Sequence, residues 1–173
     1  MDEGHPLFDS NLKIRRARKL SEELLASKEA PPDGKPFQQK YRPDPVTGVE
    51  TIRLDTFPKW PPELGVTAGE IAFHLRSALD YVVYQLCLKG GGDPEKKQTA
   101  FPLSESPKEY VRKRGKKPSY RDVSLANVPE EWKAVIDGLQ PFKGIPNDDA
   151  YHLSILNSLT KRDKHQVRLR CYT

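Results

Sequence analysis

From Ala68 to Lys89 the chain holds one pattern long enough to constrain the rest of the fold. Ile71, Leu75, Ala78, Leu79, Val82, Val83 and Leu86 recur at helical spacing and form one broad apolar face. At about 100° per residue, Phe73 and Tyr84 fall on the opposite side. A helix with apolar or aromatic groups on two sides is covered on both, so this one is expected at the centre of the molecule. Thr67 and Glu70 have capping-box spacing ahead of it, and Gly90 to Gly92 end it.

The flanking segments supply what such a helix needs around it. A first helix is predicted from Asp9 or Ser10 to about Lys28, with a narrow stripe of Leu12, Ala17, Leu20 and Leu24. Its other faces are charged, with Arg18–Glu22 and Lys19–Glu23 as i,i+4 pairs, so it packs along a neighbour rather than forming the core. After the break at residues 30–36, Phe37 to Arg42 and Val49 to Phe57 read as two strands joined by the turn sequence PDPVTG. A two-stranded ribbon is marginal alone and needs a helix or another strand beside it.

Downstream, Ser106, Pro107 and Glu109 open a short helix. The segment from Asn127 to Glu131 starts another, which sends Trp132, Val135, Ile136 and Leu139 towards the core. A last helix starts near Asn147 to Asp149 and runs to about His165, carrying Tyr151, Ile155, Leu156 and Leu159. Val167, Leu169 and Cys171 then alternate against Arg168, Arg170 and Tyr172, which predicts a short C-terminal strand. The predicted architecture is therefore a mainly α fold: one helical domain over 1–173, a small bundle around a central helix at about 68–89, with a β-hairpin arm at about 37–57.

Composition narrows the function classes. Of 173 residues, 36% are apolar and 31% charged, and sixteen prolines imply many rigid turns, so the core is modest and the connections long. Cys87 and Cys171 stand far apart in no metal-ligand spacing; they read as two buried thiols, with one disulfide between them as the alternative. No apolar run approaches the roughly 18 to 20 residues of a membrane span, and the start MDEGHPLF is unlike a signal peptide, so a cytoplasmic location without membrane contact is expected. The GGGD stretch at 90–93 follows a helix and lacks GK[ST], so it is no phosphate loop. No GxSxG or HExxH occurs, and His5, His74, His152 and His165 are too scattered for a metal set. No cofactor or metal is expected.

The net charge of +5 is gathered into clusters: Lys13 to Lys19, Arg112 to Lys117, and Lys161 to Arg170. They suit RNA or another acidic partner, and equally a solvated basic face. Within the helices a few polar residues interrupt apolar surface. Arg76 and Asp80 are an i,i+4 pair beside the apolar face of the central helix. Either they form an ion pair that locks helix packing, or they orient a reactive group on a neighbouring helix. That neighbour is expected to be the last helix, where Asn157, Lys161 and His165 recur every four residues on one face. His165 is either a dipole-favoured surface residue or an acid/base with Lys161 and Asn157 beside it.

Five segments in order, HPLFDSNLKIRRARKLSEEL, GEIAFHLRSALDYVVYQL, TAFPL, LQPF and LSILNSLTKRDKH, resemble a bacterial family marked by an HxLRSALDxxV helix and a later LNxxxxxDKH helix. The resemblance spans most of the chain and brings no assigned activity with it. Members of that family continue past the DKH segment, so a chain ending at Thr173 is expected to be a shortened member. The two polar-studded helices are also similar to the HEPN superfamily of helical RNA-cleaving and RNA-binding proteins. In those enzymes an Arg and a His, four to six residues apart on one helix, cleave RNA through the 2′-hydroxyl without metal. This chain departs from that pattern, with two residues between Arg162 and His165. The resemblance implies an RNA-directed helical protein whose site would be His165, Lys161 and Asn157 supported by Arg76 and Asp80. The competing expectation is a non-enzymatic interaction module that oligomerises through the first helix or the hairpin edge.

Overall fold

The computed structural model describes residues 2–26, 39–43, 50–54, 62–95, 99–113, 115, 117–143 and 148–165; the side chains of 39–43, 50–54, 62, 148–150 and 163–165 are outside that description. Six α-helices follow in chain order: α1 (Phe8–Ala26), α2 (Pro62–Lys89), α3 (Pro107–Val111), α4 (Tyr120–Ser124), α5 (Glu130–Gly138) and α6 (Asp148–His165), with a 3-10 turn at Pro141–Lys143. The fold is mainly α.

Helix α2 is the central element, and it begins a turn and a half earlier than its apolar period suggests. Pro62 takes the first helical position, where a missing N–H costs nothing, and Glu63 follows in the first turn. The capping box at Thr67 is therefore not formed. Thr67 lies inside the helix, and its hydroxyl donates back to the Glu63 carbonyl at 3.1 Å. At the other end the helix stops as expected. Gly91 takes φ 73°, and the amides of Gly91 and Gly92 return to the carbonyls of Leu88 and Cys87, both at 3.0 Å. That is the double bond of a Schellman motif.

Helix α1 lies antiparallel along the N-terminal half of α2. Ala17 and Leu20 are its buried apolar residues, and the Ser10 hydroxyl donates to the Ala78 carbonyl at 2.9 Å. Lys13 sits over both the Phe73 and Tyr81 rings, 5.6 and 5.9 Å from their centroids. Leu12, placed in the buried stripe by its spacing, is exposed instead.

The core proper collects around the C-terminal half of α2: Val83, Cys87, Phe101, Leu103, Leu125, Val128 and Ile136, with Leu79, Leu86, Leu139 and Leu153 packed around them. Two expected core faces are turned away from it. Trp132 and Val135 on α5 are exposed, as are Tyr151 and Ile155 on α6. Each helix buries only one narrow side: α5 commits Ile136, and α6 commits Leu156 with the polar Asn157 and Thr160.

Residues 39–43 and 50–54 pair as a two-stranded antiparallel ladder with Tyr41 opposite Ile52. As an arm of the helical fold, the β-hairpin expected at about 37–57 is not supported. The C-terminal strand expected at 167–172 lies outside the described residues.

Candidate functional site

Arg76 and Asp80 fall on the same stripe of α2 as Val83 and Cys87, so they continue the core contact towards the N-terminus. There they meet residues 100–104, a segment that is neither helix nor strand and has no strand paired to it among the described residues. The Phe101 amide donates to Asp80 Oδ1 at 2.8 Å, and the Phe101 carbonyl accepts from Arg76 Nη2. The two side chains are themselves paired at 3.2 Å. Gln140, fully buried, does the same further along: its Nε2 donates to the carbonyls of Pro102 at 2.7 Å and Ile136 at 3.1 Å, and its Oε1 accepts the Ser104 amide at 3.2 Å. Buried backbone groups require partners. Here charged and amide side chains provide what a neighbouring strand would.

Behind this clamp opens a polar cavity of about 890 Å³, within the size range of ligand sites. Arg76 and Asp80 form part of its wall, and Asn157, Thr160 and Lys161 of α6 form another part. Ser104, Glu105 and Glu109 come from the segment leading into α3. Arg112, Lys117 and Tyr120 close the far side. Arg76, Arg112, Lys117 and Lys161 thus face the same space as Asp80, Glu105 and Glu109.

Four of the five site residues marked by the sequence, Arg76, Asp80, Asn157 and Lys161, therefore share one cavity. They are not equivalent there. Arg76 and Asp80 are committed to the Phe101 backbone. Asn157 is 5% exposed, and its Nδ2 donates to Glu105 Oε1 at 2.9 Å. Lys161 is exposed. The backbone of α6 continues one turn further to His165, whose side chain lies outside the described residues.

Spacing could not reveal the rest of the lining. Arg112 and Lys117 were visible as a basic cluster, but nothing local tied them to Lys161. Tyr120 and Glu105 carry no period or motif, and Glu109 was legible only as part of the cap that opens the short helix at Ser106. Tyr120 is placed by a capping box that sequence inspection passed over: the Ser119 hydroxyl accepts the Asp122 amide at 3.1 Å, and Asp122 Oδ2 accepts the Ser119 amide at 3.4 Å.

A second polar network holds α3, α4 and α5 in register behind the cavity. Arg121 grips Asp137 through Nε at 2.9 Å and Nη2 at 2.7 Å, and the buried Tyr110 hydroxyl donates to Asp137 Oδ1 at 2.7 Å. Burial pushes the Asp137 carboxyl upward, but the hydrogen bonds from Arg121 and Tyr110 outweigh it and hold the group below its ordinary value. Burial, with Asp137 beside it, drives the Tyr110 phenol far upward, so it stays a donor. Cys87 is a buried free thiol, raised by burial and by Asp93; Cys171 lies outside the described residues.

Among the described residues no group of three or more His, Cys, Asp or Glu is arranged to hold a metal ion. Among them, too, no helix is long and apolar enough to cross a membrane. Compared with known protein families, curated proteins and solved structures, the chain matches none.

Proposed function

We propose that this is an RNA-directed helical protein whose polar cavity takes the sugar-phosphate backbone of a single strand. One observation carries the reading: two basic clusters far apart in sequence, Arg112–Lys117 and the start of Lys161–Arg170, send Arg112, Lys117 and Lys161 into one cavity. Such convergence suits a phosphate site, because each neutralised phosphate releases condensed counterions, and with Arg76 the basic groups outnumber Asp80, Glu105 and Glu109 on the same lining. Tyr120 at the same wall offers a ring on which an unpaired base can stack.

The likeness to HEPN ribonucleases extends the proposal to metal-independent cleavage. In that chemistry His165 takes the proton of a 2′-hydroxyl, the 2′-oxygen attacks phosphorus, and the 5′-oxygen leaves with a proton returned to it. Lys161 and Arg112 would stabilise the charge that develops on the phosphorane. Arg76 and Asp80 are positioning residues in this scheme, since they hold Phe101 and the segment leading to Glu105. The test is binding and cleavage of labelled single-stranded RNA by the full chain with EDTA present, beside His165→Ala and Lys161→Ala and a DNA strand of the same sequence. Salt-sensitive binding lost in Lys161→Ala supports the cavity, and cleavage lost in His165→Ala supports the chemistry. Absence of salt-sensitive binding removes both.

A second reading has its own observation. His5, Pro6, Leu7, Val82, Leu86, Leu88 and Trp132 line an apolar groove of about 610 Å³ on the opposite side of α2. A groove of that kind suits a protein partner or a second copy, as an interaction module requires. Sedimentation of the purified chain, with Leu88→Glu beside it, separates a self-associating form from a monomer.

A further inference from the structure

The cavity contains one polar group whose orientation is fixed and whose function inside the protein is incomplete. Asn157 is 5% exposed, and its side-chain Nδ2 donates to Glu105 Oε1 at 2.9 Å. A carboxylate only accepts, so the amide nitrogen must face Glu105 and the opposite rotamer is excluded. The amide oxygen, Oδ1, then has no hydrogen-bond partner among the described residues. It is also not sealed away from solvent, because among the described residues the buried side-chain polar atom lacking a partner is His74 Nδ1. Asn157 thus presents an accessible acceptor at the cavity wall, with the second acceptor, Glu105, beside it.

From this geometry we infer that Asn157, pinned by Glu105, is the residue by which the cavity discriminates among bases, and that it favours an exocyclic amino group. The inference rests on the RNA reading above and deepens it. Two neighbouring acceptors suit an exocyclic amino group, whose two N–H bonds can reach both, as in cytosine, adenine or guanine. Uracil offers a single ring N–H flanked by two carbonyl oxygens, and those oxygens would meet Asn157 and Glu105 as acceptor against acceptor. Cytosine and uracil are nearly the same size and stack alike, so the contrast between them isolates this hydrogen-bonding term. Single strands expose the edges concerned, which a duplex would hide.

Glu105→Gln provides a reversal rather than a simple loss. A glutamine amide can donate to Asn157 Oδ1, which lets Asn157 turn and present its N–H groups to the cavity. The experiment measures fluorescence anisotropy of the full chain with labelled (C)12 and (U)12 RNA at one salt concentration. Wild type is expected to bind (C)12 roughly three- to tenfold more tightly, the range of one net hydrogen bond. Glu105→Gln should narrow or invert that ratio even though removing a negative charge tightens both complexes. Glu105→Ala removes the pin without replacing it and should bring the ratio close to one. Equal wild-type binding of the two strands overturns the inference and leaves the RNA reading standing. A wild-type preference that survives in both variants also overturns it, because something other than the pinned Asn157 then reads the base. No binding of either strand removes the RNA reading and this inference together.

Discussion

The Asp80 carboxylate accepts the amide of Phe101 at 2.8 Å, and the Arg76 guanidinium beside it takes the carbonyl of the same residue. One ion pair on a helix thereby satisfies both backbone groups of one residue in a segment that is neither helix nor strand. Asp80→Ala removes that acceptor and also frees the Arg76 charge. A hydrogen bond to a charged group contributes about 1.5–3 kcal/mol, and the partial exposure of Asp80 places the loss at the lower end, about 1.5 kcal/mol. Asp80→Asn keeps an acceptor and should lose less. Urea denaturation of the three proteins checks the order; equal midpoints for all three would contradict the clamp.

Lys161 should contribute charge and little else. If it contacts one phosphate, Lys161→Ala lowers RNA affinity and reduces the slope of log K against log salt by about one unit. An unchanged slope would place Lys161 outside the interface.

His74 sets a pH dependence. Its ring lies against α1, and burial, then Lys13 and Arg16, hold its pKa below the ordinary 6.5, against an opposing pull from Glu70. The unfolded chain therefore binds a proton more readily than the folded one. Stability is unaffected by His74 well above pH 6.5 and is lost as pH falls from there towards the depressed folded value. Thermal melts from pH 7.5 to 5 should show a falling Tm, and His74→Gln should flatten that part of the curve.

The three glycines after α2 should respond to alanine differently from the one that ends α5. A Cβ at Gly90 would run into the Asn127 carbonyl, and one at Gly92 would stand 2.8 Å from Cys87 Sγ. Either substitution should cost about 1–3 kcal/mol. Gly91 has open space but a φ of +73°, so alanine there costs about 1 kcal/mol of backbone strain. Gly138 has neither obstacle, and Gly138→Ala should stabilise α5 by about 0.5–1 kcal/mol. Denaturant midpoints of the four variants test the set.

Tyr110→Phe removes the hydroxyl that Asp137 accepts in a buried place and should cost about 1–1.5 kcal/mol. A neutral result would mean that Arg121 alone satisfies Asp137.

What could be read from the sequence was what repeats along one helix. The period of α2, its glycine stop, the Ser106 cap and the grouping of Asn157 with Lys161 all depend on residues a few positions apart. The early start of α2 was hidden because two prolines at 61–62 resemble a break until the first helical position is recognised as one that tolerates them. The exposed sides of α5 and α6 were hidden for a different reason: an apolar residue can hold the helical period of its neighbours and still find nothing to cover it. The cavity itself was out of reach. Asn157 meets Glu105 52 positions away, and Tyr110 meets Asp137 27 away, through contacts that follow no period.

The segment at 100–104 also bears on how readily this chain would aggregate. An extended apolar stretch with open amides and carbonyls is the shape that recruits other strands into aggregates. Here Pro102 lacks an amide, Asp80 and Arg76 occupy Phe101, and Gln140 occupies Pro102 and Ser104. The segment lies in the core as a strand would, yet those backbone groups are already taken and offer no edge for another molecule to join. Damage to the clamp would do more than weaken the fold: it would uncover an adhesive sequence that the helices otherwise keep blocked.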